Sequence, residues 1–354
     1  MRKRYLRLLT MFLTTCTVLF SVPIAASAQD ASGATPPASG NDSTTGGTTN
    51  PDQSGTTNPD QGGTTPPSTT PDTSAQPEEI TLSPSMSLPK EIGICTGGCN
   101  GHIIRGNLGT PQYESVNSII KVTGGTHNIT LDGATIVIPD AKSIHAFELG
   151  DNNVVVNLTL NAGTTNTFTS GGSRAGMFVP PGSTLNINGS GTLNATGSFG
   201  AAGIGGEGYY GSSGTININC PNGKIVARGG NAGAGIGGGI YGSSGNISIK
   251  AGNIEAYGGN GITTDDGNGT EINLNGGSGI GCGGSFPREG DGGEIVLSGG
   301  TIKAIGGSNP NNSLTPESYG ISGKSISSDG GSVVLTTNNS TGSISGNMAA
   351  FNCI

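Results

Sequence analysis

The chain has 354 residues, 67 of them glycine, with 4% aromatic residues and no tryptophan. Glycine and β-branched residues oppose helix, so this composition excludes a helical globular enzyme. The formal net charge of −8 argues against nucleic acid or anionic lipid as a partner.

Residues 1–28 read as a secretory signal peptide. Arg2, Lys3, Arg4 and Arg7 form a basic start, Leu8 to Val22 an apolar segment, and Ala26-Ser27-Ala28 a small-residue cleavage site. Cys16 lies inside the apolar segment and not at the cleavage point, which weakens a lipoprotein reading. No second apolar stretch is long enough to span a bilayer. The chain is therefore expected to be secreted, to the extracellular medium or the cell surface, with no membrane contact after cleavage. Losing four basic residues from 15 would leave 11 against 23 acidic ones. Such a surface repels an anionic polysaccharide unless a cation bridges the two.

Residues 29–78 are rich in Thr, Ser, Gly, Pro, Asp, Asn and Gln, and Gly47–Gln53 recurs as Gly55–Gln61. This composition cannot bury a core and is expected to be a disordered spacer. Residues 79–117 hold few regular signals and are expected to cap the first coil of a repetitive C-terminal region, because an open end coil exposes unpaired backbone. Cys95 and Cys99 flank a Gly-Gly turn and are expected to close a small disulfide loop. A metal reading of that pair lacks a second Cys/His pair at ligand spacing. Cys220 and Cys282 are expected to be buried free thiols.

From residue 118 to 354 the chain repeats itself. TLNINGSGTLNATGSFGAAGIGGEGYYGSSG is followed by TININCPNGKIVARGGNAGAGIGGGIYGSSG, and further copies start at Asn246, Glu294 and Ser332. Each unit opens on two alternating runs, such as Thr215–Asn219 and Lys224–Arg228, and adds a third short run of the type Ala234-Gly235-Ile236-Gly237. Three short strands joined by Gly-rich corners describe one coil of a parallel β-helix, and about eight coils are expected. Aligning the units gives five aliphatic columns. They are Leu185, Ile216, Ile247, Ile295, Val333; Ile187, Ile218, Ile249, Leu297, Leu335; Leu193, Ile225, Ile254, Ile302; Ala195, Ala227, Ala256, Ala304; and Ile204, Ile236, Ile280, Ile321. Stacked about 4.8 Å apart, these columns would form the core, which no single coil could build alone.

The run VVVNLTLNAGTTNTFTSGGSRAGMFVPPGSTLNINGSGTLNATG with its following AGIGG steps resembles exported Gly-rich repeat proteins of Firmicutes described as carbohydrate-binding-domain proteins. The resemblance covers residues 118 to 335. It implies an all-β, right-handed, single-stranded parallel β-helix, a pectate-lyase-like solenoid. It also implies polysaccharide binding at the cell surface without catalysis. Fold analogy alone establishes no function, so candidate sites are weighed residue by residue.

A lyase needs a base for the sugar C5 proton and a cation or Ca²⁺ for the carboxylate. Arg105, Lys142, Arg174, Arg228 and Arg288 are the basic candidates, with Asp132, Asp140, Glu148 and Asp151 as possible ligands; they scatter over different coils. A hydrolase needs a carboxylate pair, and the adjacent Asp265 and Asp266 would point to opposite faces of a strand. Asp265, Asp266, Asn268 and Glu271 form an oxygen-rich loop that suits Ca²⁺, against the plainer reading of a solvated acidic turn. Tyr210 and Tyr241 fall at one corner of successive coils, with Tyr209 beside them and Phe286, Arg288 and Asp291 at nearly the same place in the next unit. Such rings suit the apolar faces of sugars; the alternative is a self-stacking ladder that merely covers a corner. Insertions 258–278 and 306–319 leave the coil at one corner and are candidate binding loops. The row Asn186 and Asn217 is expected to be structural, each amide bonding to the next.

The resulting expectation is a non-catalytic extracellular polysaccharide-binding protein, with a β-helical polysaccharide lyase or a protein-binding adhesive stalk as alternatives.

Overall fold

The computed structural model describes residues 76–93, 100–109, 116–150, 153–265, 271–284, 292–309, 318–329, 332–338, 343–345 and 350–353. The expected signal segment, nearly all of the spacer, and Cys95 and Cys99 lie outside them.

Described residues from Glu78 onward form a parallel β-helix. Each coil contributes three short runs, giving three faces. The first and second faces together make a 15-stranded sheet, because strands such as Thr126–Val137, Thr215–Arg228 and Ile247–Tyr257 run on round the corner between them. In the register of Thr215–Arg228 with Ile247–Tyr257 the shift falls between Ile218 and Lys224, where Asn222 turns with φ 64°. The third face is a separate seven-stranded sheet, one strand per coil.

Alternation drives the inward rows. On the first face Val156, Leu185, Ile216, Ile247, Ile295 and Ile326 stand in register, as do Ile129, Leu158, Ile187, Ile218, Ile249 and Leu297. Leu193, Ile225, Ile254, Ile302 and Leu335 line the second face. Beside them run Ile136, Phe168, Ala195, Ala227, Ala256 and Ala304. The third face contributes Phe147, Met177, Ile204, Ile236, Ile280 and Ile321. All of these are buried, in one continuous core. Phe147 and Phe168 meet edge to face at 5.6 Å in the early coils. The later coils carry Ala in the Phe168 row.

The AGIGG step requires its glycines. Gly205, Gly237 and Gly281 take φ of 135°, 134° and 131°, a backbone that L side chains rarely adopt. A Cβ at Gly205 would stand 2.0 Å from the Gly237 carbonyl oxygen. Only glycine lets successive coils approach so closely there.

Two expectations are corrected. Val333 and Leu335 do not extend the first two columns: Val333 opposes Gly300 and Leu335 opposes Ile302, on the second face. The first-face place belongs to Ile326 in the strand Ser325–Ser327, whose single apolar residue is too short an alternation to register in the sequence. The stretch 79–117 is also more than a cap. Strands Glu78–Leu82, Lys90–Ile92 and His102–Asn107 already pair in parallel with the next coil, and Ile80, Ile104, Leu131 and Leu160 form an extra inward row.

Some buried polar groups are satisfied by neighbouring coils, whereas His102 Nδ1, His145 Nδ1, Ser183 Oγ and Ser298 Oγ have no hydrogen-bond partner among the described residues. Asn166 sits in the Leu193 row, where its Oδ1 accepts from the Gly133 and Ala134 amides at 3.0 and 2.9 Å. Its Nδ2 donates to the Thr192 carbonyl. Cys220 is a buried free thiol donating to the Ile187 carbonyl, and burial pushes its pKa up to about 11, which disfavours the thiolate. Cys282, expected to be buried, is only half-buried.

Replacing Ile218 with Asp would bury a charge between coils and cost several kcal/mol. Asn217→Ser, one residue away, loses one half-exposed amide hydrogen bond, about 1 kcal/mol. In thermal melts the first variant should fall far below the second; equal melting temperatures would contradict the inward assignment.

Candidate functional site

The third face carries a charged groove of about 390 Å³ near the N-terminal end of the solenoid. Strands Ser118–Val122, His145–Leu149 and Met177–Phe178 lie side by side, with Ser118 opposite His145, Lys121 opposite Glu148, and Glu148 opposite Phe178. Ile120, Phe147 and Met177 point into the core, so Lys121, Glu148 and Phe178 alternate outward. The next strand ends in Gly205, which places no side chain beyond Phe178 and leaves the face open. Glu207 enters from the turn after that glycine, and Arg174 from the turn before Ala175-Gly176.

Two ionic clusters line the groove. Glu207 Oε2 accepts from Arg174 Nη1 and lies 3.4 Å from His145 Nε2. Arg174 Nε also donates to Ser143 Oγ at 3.2 Å. The buried His145 ring stacks on Phe178 at 4.7 Å and 13°. In the second cluster Glu148 Oε2 accepts from Ser118 Oγ, and Glu148 Oε1 lies 3.9 Å from Lys121 Nζ, a weak contact. Burial pushes the Glu207 carboxyl up, but the hydrogen bonds and charges of His145 and Arg174 outweigh it. The carboxyl is held below its ordinary value of 4.5. Glu207 is thus an ionised acceptor.

Of the lyase candidates, the groove gathers Arg174 and Glu148. Arg105 is held between Glu79 and Asp132, and Asp140 accepts a hydrogen bond from Ser198. Arg228 lies over the Tyr257 ring at 4.5 Å, on the second face. Arg288 and Asp151 lie outside the described residues. The sequence reading missed His145, Ser118, Lys121 and Glu207. Their signal was spacing: Ser118 and Glu148 are 30 residues apart, Arg174 and Glu207 33, close to one coil.

The tyrosine corner has a different geometry from a row of open ring faces. Tyr210 and Tyr241 stack on each other at 5.2 Å and 20°, so each spends one face on the other. Tyr210 is 75% exposed and keeps its outer face. Tyr241 and Tyr209 pack against a small second cluster of Ala232, Ile240 and Leu274. Insertion 258–278 supplies that cover: Ile262–Asp265 and Glu271–Leu274 pair as an antiparallel hairpin whose Ile262, Ile272 and Leu274 join the cluster. Burial raises the pKa of Tyr209, and burial with the neighbouring tyrosines raises that of Tyr241. All three tyrosines sit at positive φ, 47°, 61° and 60°. Phe286, Arg288 and Asp291 lie outside the described residues.

For the calcium candidate, Asp265 and Glu271 are register partners at the end of the hairpin, and Asp266 and Asn268 lie outside the described residues. Among the described residues no group of three or more His, Cys, Asp or Glu is placed to hold a metal ion.

The outer side of the first face carries a ladder. Asn157 Nδ2 donates to Asn128 Oδ1 at 3.0 Å, Asn186 to Asn157 at 2.9 Å, and Asn217 to Asn186 at 2.8 Å. The expected pair Asn186 and Asn217 is therefore half of a row spanning four coils.

Removing the exposed tyrosine should be nearly neutral for stability. Tyr210→Gly loses a ring stack of about 1 kcal/mol and relieves a left-handed backbone cost of about 1–2 kcal/mol, so the melting temperature should stay within a few degrees. Tyr241→Gly also loses packing under the hairpin and should melt lower; equal melting of the two would contradict the covered-corner geometry. Acid sensitivity gives a second check. A carboxyl lowered in the folded state stabilises fully above its unfolded value and loses that contribution as pH falls through the folded one. Glu207→Gln should therefore flatten the decline in stability below pH 4.5, and an unchanged acid slope would contradict the ion-pair assignment.

No family model, no curated protein and no solved structure matches this chain, so its function is argued from the geometry alone.

Proposed function

We propose that this is a non-catalytic extracellular polysaccharide-binding protein, and that the third-face groove receives the glycan. The observation that carries this reading is the groove's composition. It is concave, has an aromatic wall in the His145–Phe178 stack, and is rimmed by ionised side chains that accept and donate hydrogen bonds. Sugars need that combination of an apolar surface for the ring and fixed polar partners for the hydroxyls. Tyr210, open on one face at a separate corner, offers a further stacking point.

The cluster of Lys121, His145, Glu148, Arg174 and Glu207 on one outer face also favours a second reading, a carbohydrate-active enzyme. Against it, the charged groups are partnered within the chain, Glu207 by His145 and Arg174, and Glu148 by Ser118 and Lys121. A general acid needs a carboxyl held protonated toward neutral pH, whereas Glu207 is held the other way. An adhesive stalk for a protein partner gives no account of the groove.

Retention of the purified chain on insoluble polysaccharides tests the proposal. Loss of one charged hydrogen bond is worth about 1.5–3 kcal/mol, so Arg174→Ala and Glu207→Gln should each weaken retention about tenfold or more. Unchanged retention in both would overturn the groove reading. Incubation with polygalacturonate and Ca²⁺ should give no rise in unsaturated-product absorbance; a steady rise abolished by Arg174→Ala would replace binding with lyase activity.

A further inference from the structure

The asparagine ladder does more than close the first face. A side-chain amide offers two N–H donors and two oxygen lone pairs. Each rung uses one donor of one residue and one lone pair of the next, from Asn217 to Asn186, Asn157 and Asn128. An inner rung therefore keeps one N–H and one lone pair for an outside partner. The rungs are half-buried or exposed and stand on the outward side of strands whose alternate residues, Ile187 and Ile218 among them, are buried.

The surroundings repeat the same chemistry. Thr184 stands opposite Thr215, Asn186 opposite Asn217, and Asn188 opposite Asn219, and a shallow groove of about 410 Å³ runs over these four asparagines, with Asn157 and Ser248, as far as Lys250. In a chain of net charge −8 this patch of amides and hydroxyls carries no acidic group, and Lys250 is the one charge in its lining. The geometry points to an occupant with paired donors and acceptors, no charge, and a repeat that follows the coils. Protein segments fit poorly, since their backbone groups would need a sheet edge and this is a sheet face.

We infer that the Asn128–Asn157–Asn186–Asn217 face binds an extended neutral glycan lying along the solenoid axis. This rests on the polysaccharide-binding reading and names the ligand class and a second contact surface for it. Coils repeat about every 4.8 Å, close to half a disaccharide repeat of an extended chain, so successive sugars meet successive rungs. A hydroxyl donates one hydrogen bond and accepts another, which matches what a rung leaves over. The ladder also fixes the amides before the ligand arrives, reducing the side-chain ordering that binding would otherwise require. Each rung contributes little, and several acting on one chain give avidity.

Retention of the purified protein on amorphous cellulose, insoluble xylan and chitin, with immobilised polygalacturonate as the charged control, tests this. Asn188→Asp with Asn219→Asp puts two charges on the neutral face without touching the core, and should reduce retention at least tenfold on the neutral glycan that binds best. Asn186→Ala with Asn217→Ala, which removes two rungs, should do the same. Melting curves of both variants verify folding, and Glu207→Gln serves as the groove control. Loss in the ladder variants with Glu207→Gln unaffected would support the face and sink the groove. Loss in Glu207→Gln with folded ladder variants unaffected would overturn the face and keep the groove. Retention on polygalacturonate alone would overturn the neutral class, and freezing-point hysteresis without glycan retention would replace the glycan with an ice surface.

Discussion

The structure depends on one close approach, the stacking of backbone on backbone at the Gly-Ile-Gly steps of the third face. Gly205 lies so near Gly237, and Gly237 so near Gly281, that a single added carbon would meet a carbonyl oxygen at 2.0 and 1.9 Å. Parallel pairing sets the coil spacing, and at these steps only glycine tolerates it. Register sets Ile204, Ile236 and Ile280 in one buried row and Ala195, Ala227 and Ala256 in another. An inward side chain therefore owes its burial largely to its equivalents in the coils above and below, so stability is close to a sum of nearest-neighbour terms.

Because inward positions are taken by aliphatic rows, function is left to outward positions and corners, and each face has a different chemistry. The third face brings Arg174, His145 and Glu207 together beside an aromatic stack. Uncharged amides in register mark the first face. On the second face Tyr257 lies between Arg228 and Lys303, and Lys224 pairs with Glu255 at 2.6 Å. The tyrosine corner is tied down by its own insertion, so what first reads as a loop hung out for a ligand is in large part a cover for Tyr209 and Tyr241.

Much of the fold was legible in the residues, because a row of equivalent Ile or Ala at a fixed interval has few other physical explanations. The columns kept their register up to the last coils, as Ile218 against Ile249 and Ile236 against Ile280 illustrate. Failure came where one alternating residue stood alone: Ile326 supplies the inward place that Val333 was expected to fill. The site was far less legible. Ser118 and Glu148, or Arg174 and Glu207, carry no local motif, and only a search for polar pairs at the coil interval would have joined them. The tyrosines were found by the same interval, yet their mutual stacking and left-handed backbone depend on how the corner turns, which spacing does not encode.

Deletion of one whole coil measures the stacking claim most directly. Removing residues 215–245 excises one 31-residue repeat, the interval between Asn186 and Asn217. It lets Leu185 pair with Ile247, Ile187 with Ile249 and Ile204 with Ile280. Removing only residues 215–229 leaves the third-face run of that coil without its first two. Stacking predicts that the whole-coil deletion keeps its β-sheet circular dichroism and a single cooperative melt, and that the half-coil deletion loses cooperativity. Equal behaviour of the two, whether both fold or both fail, would contradict a core built from coil-to-coil register.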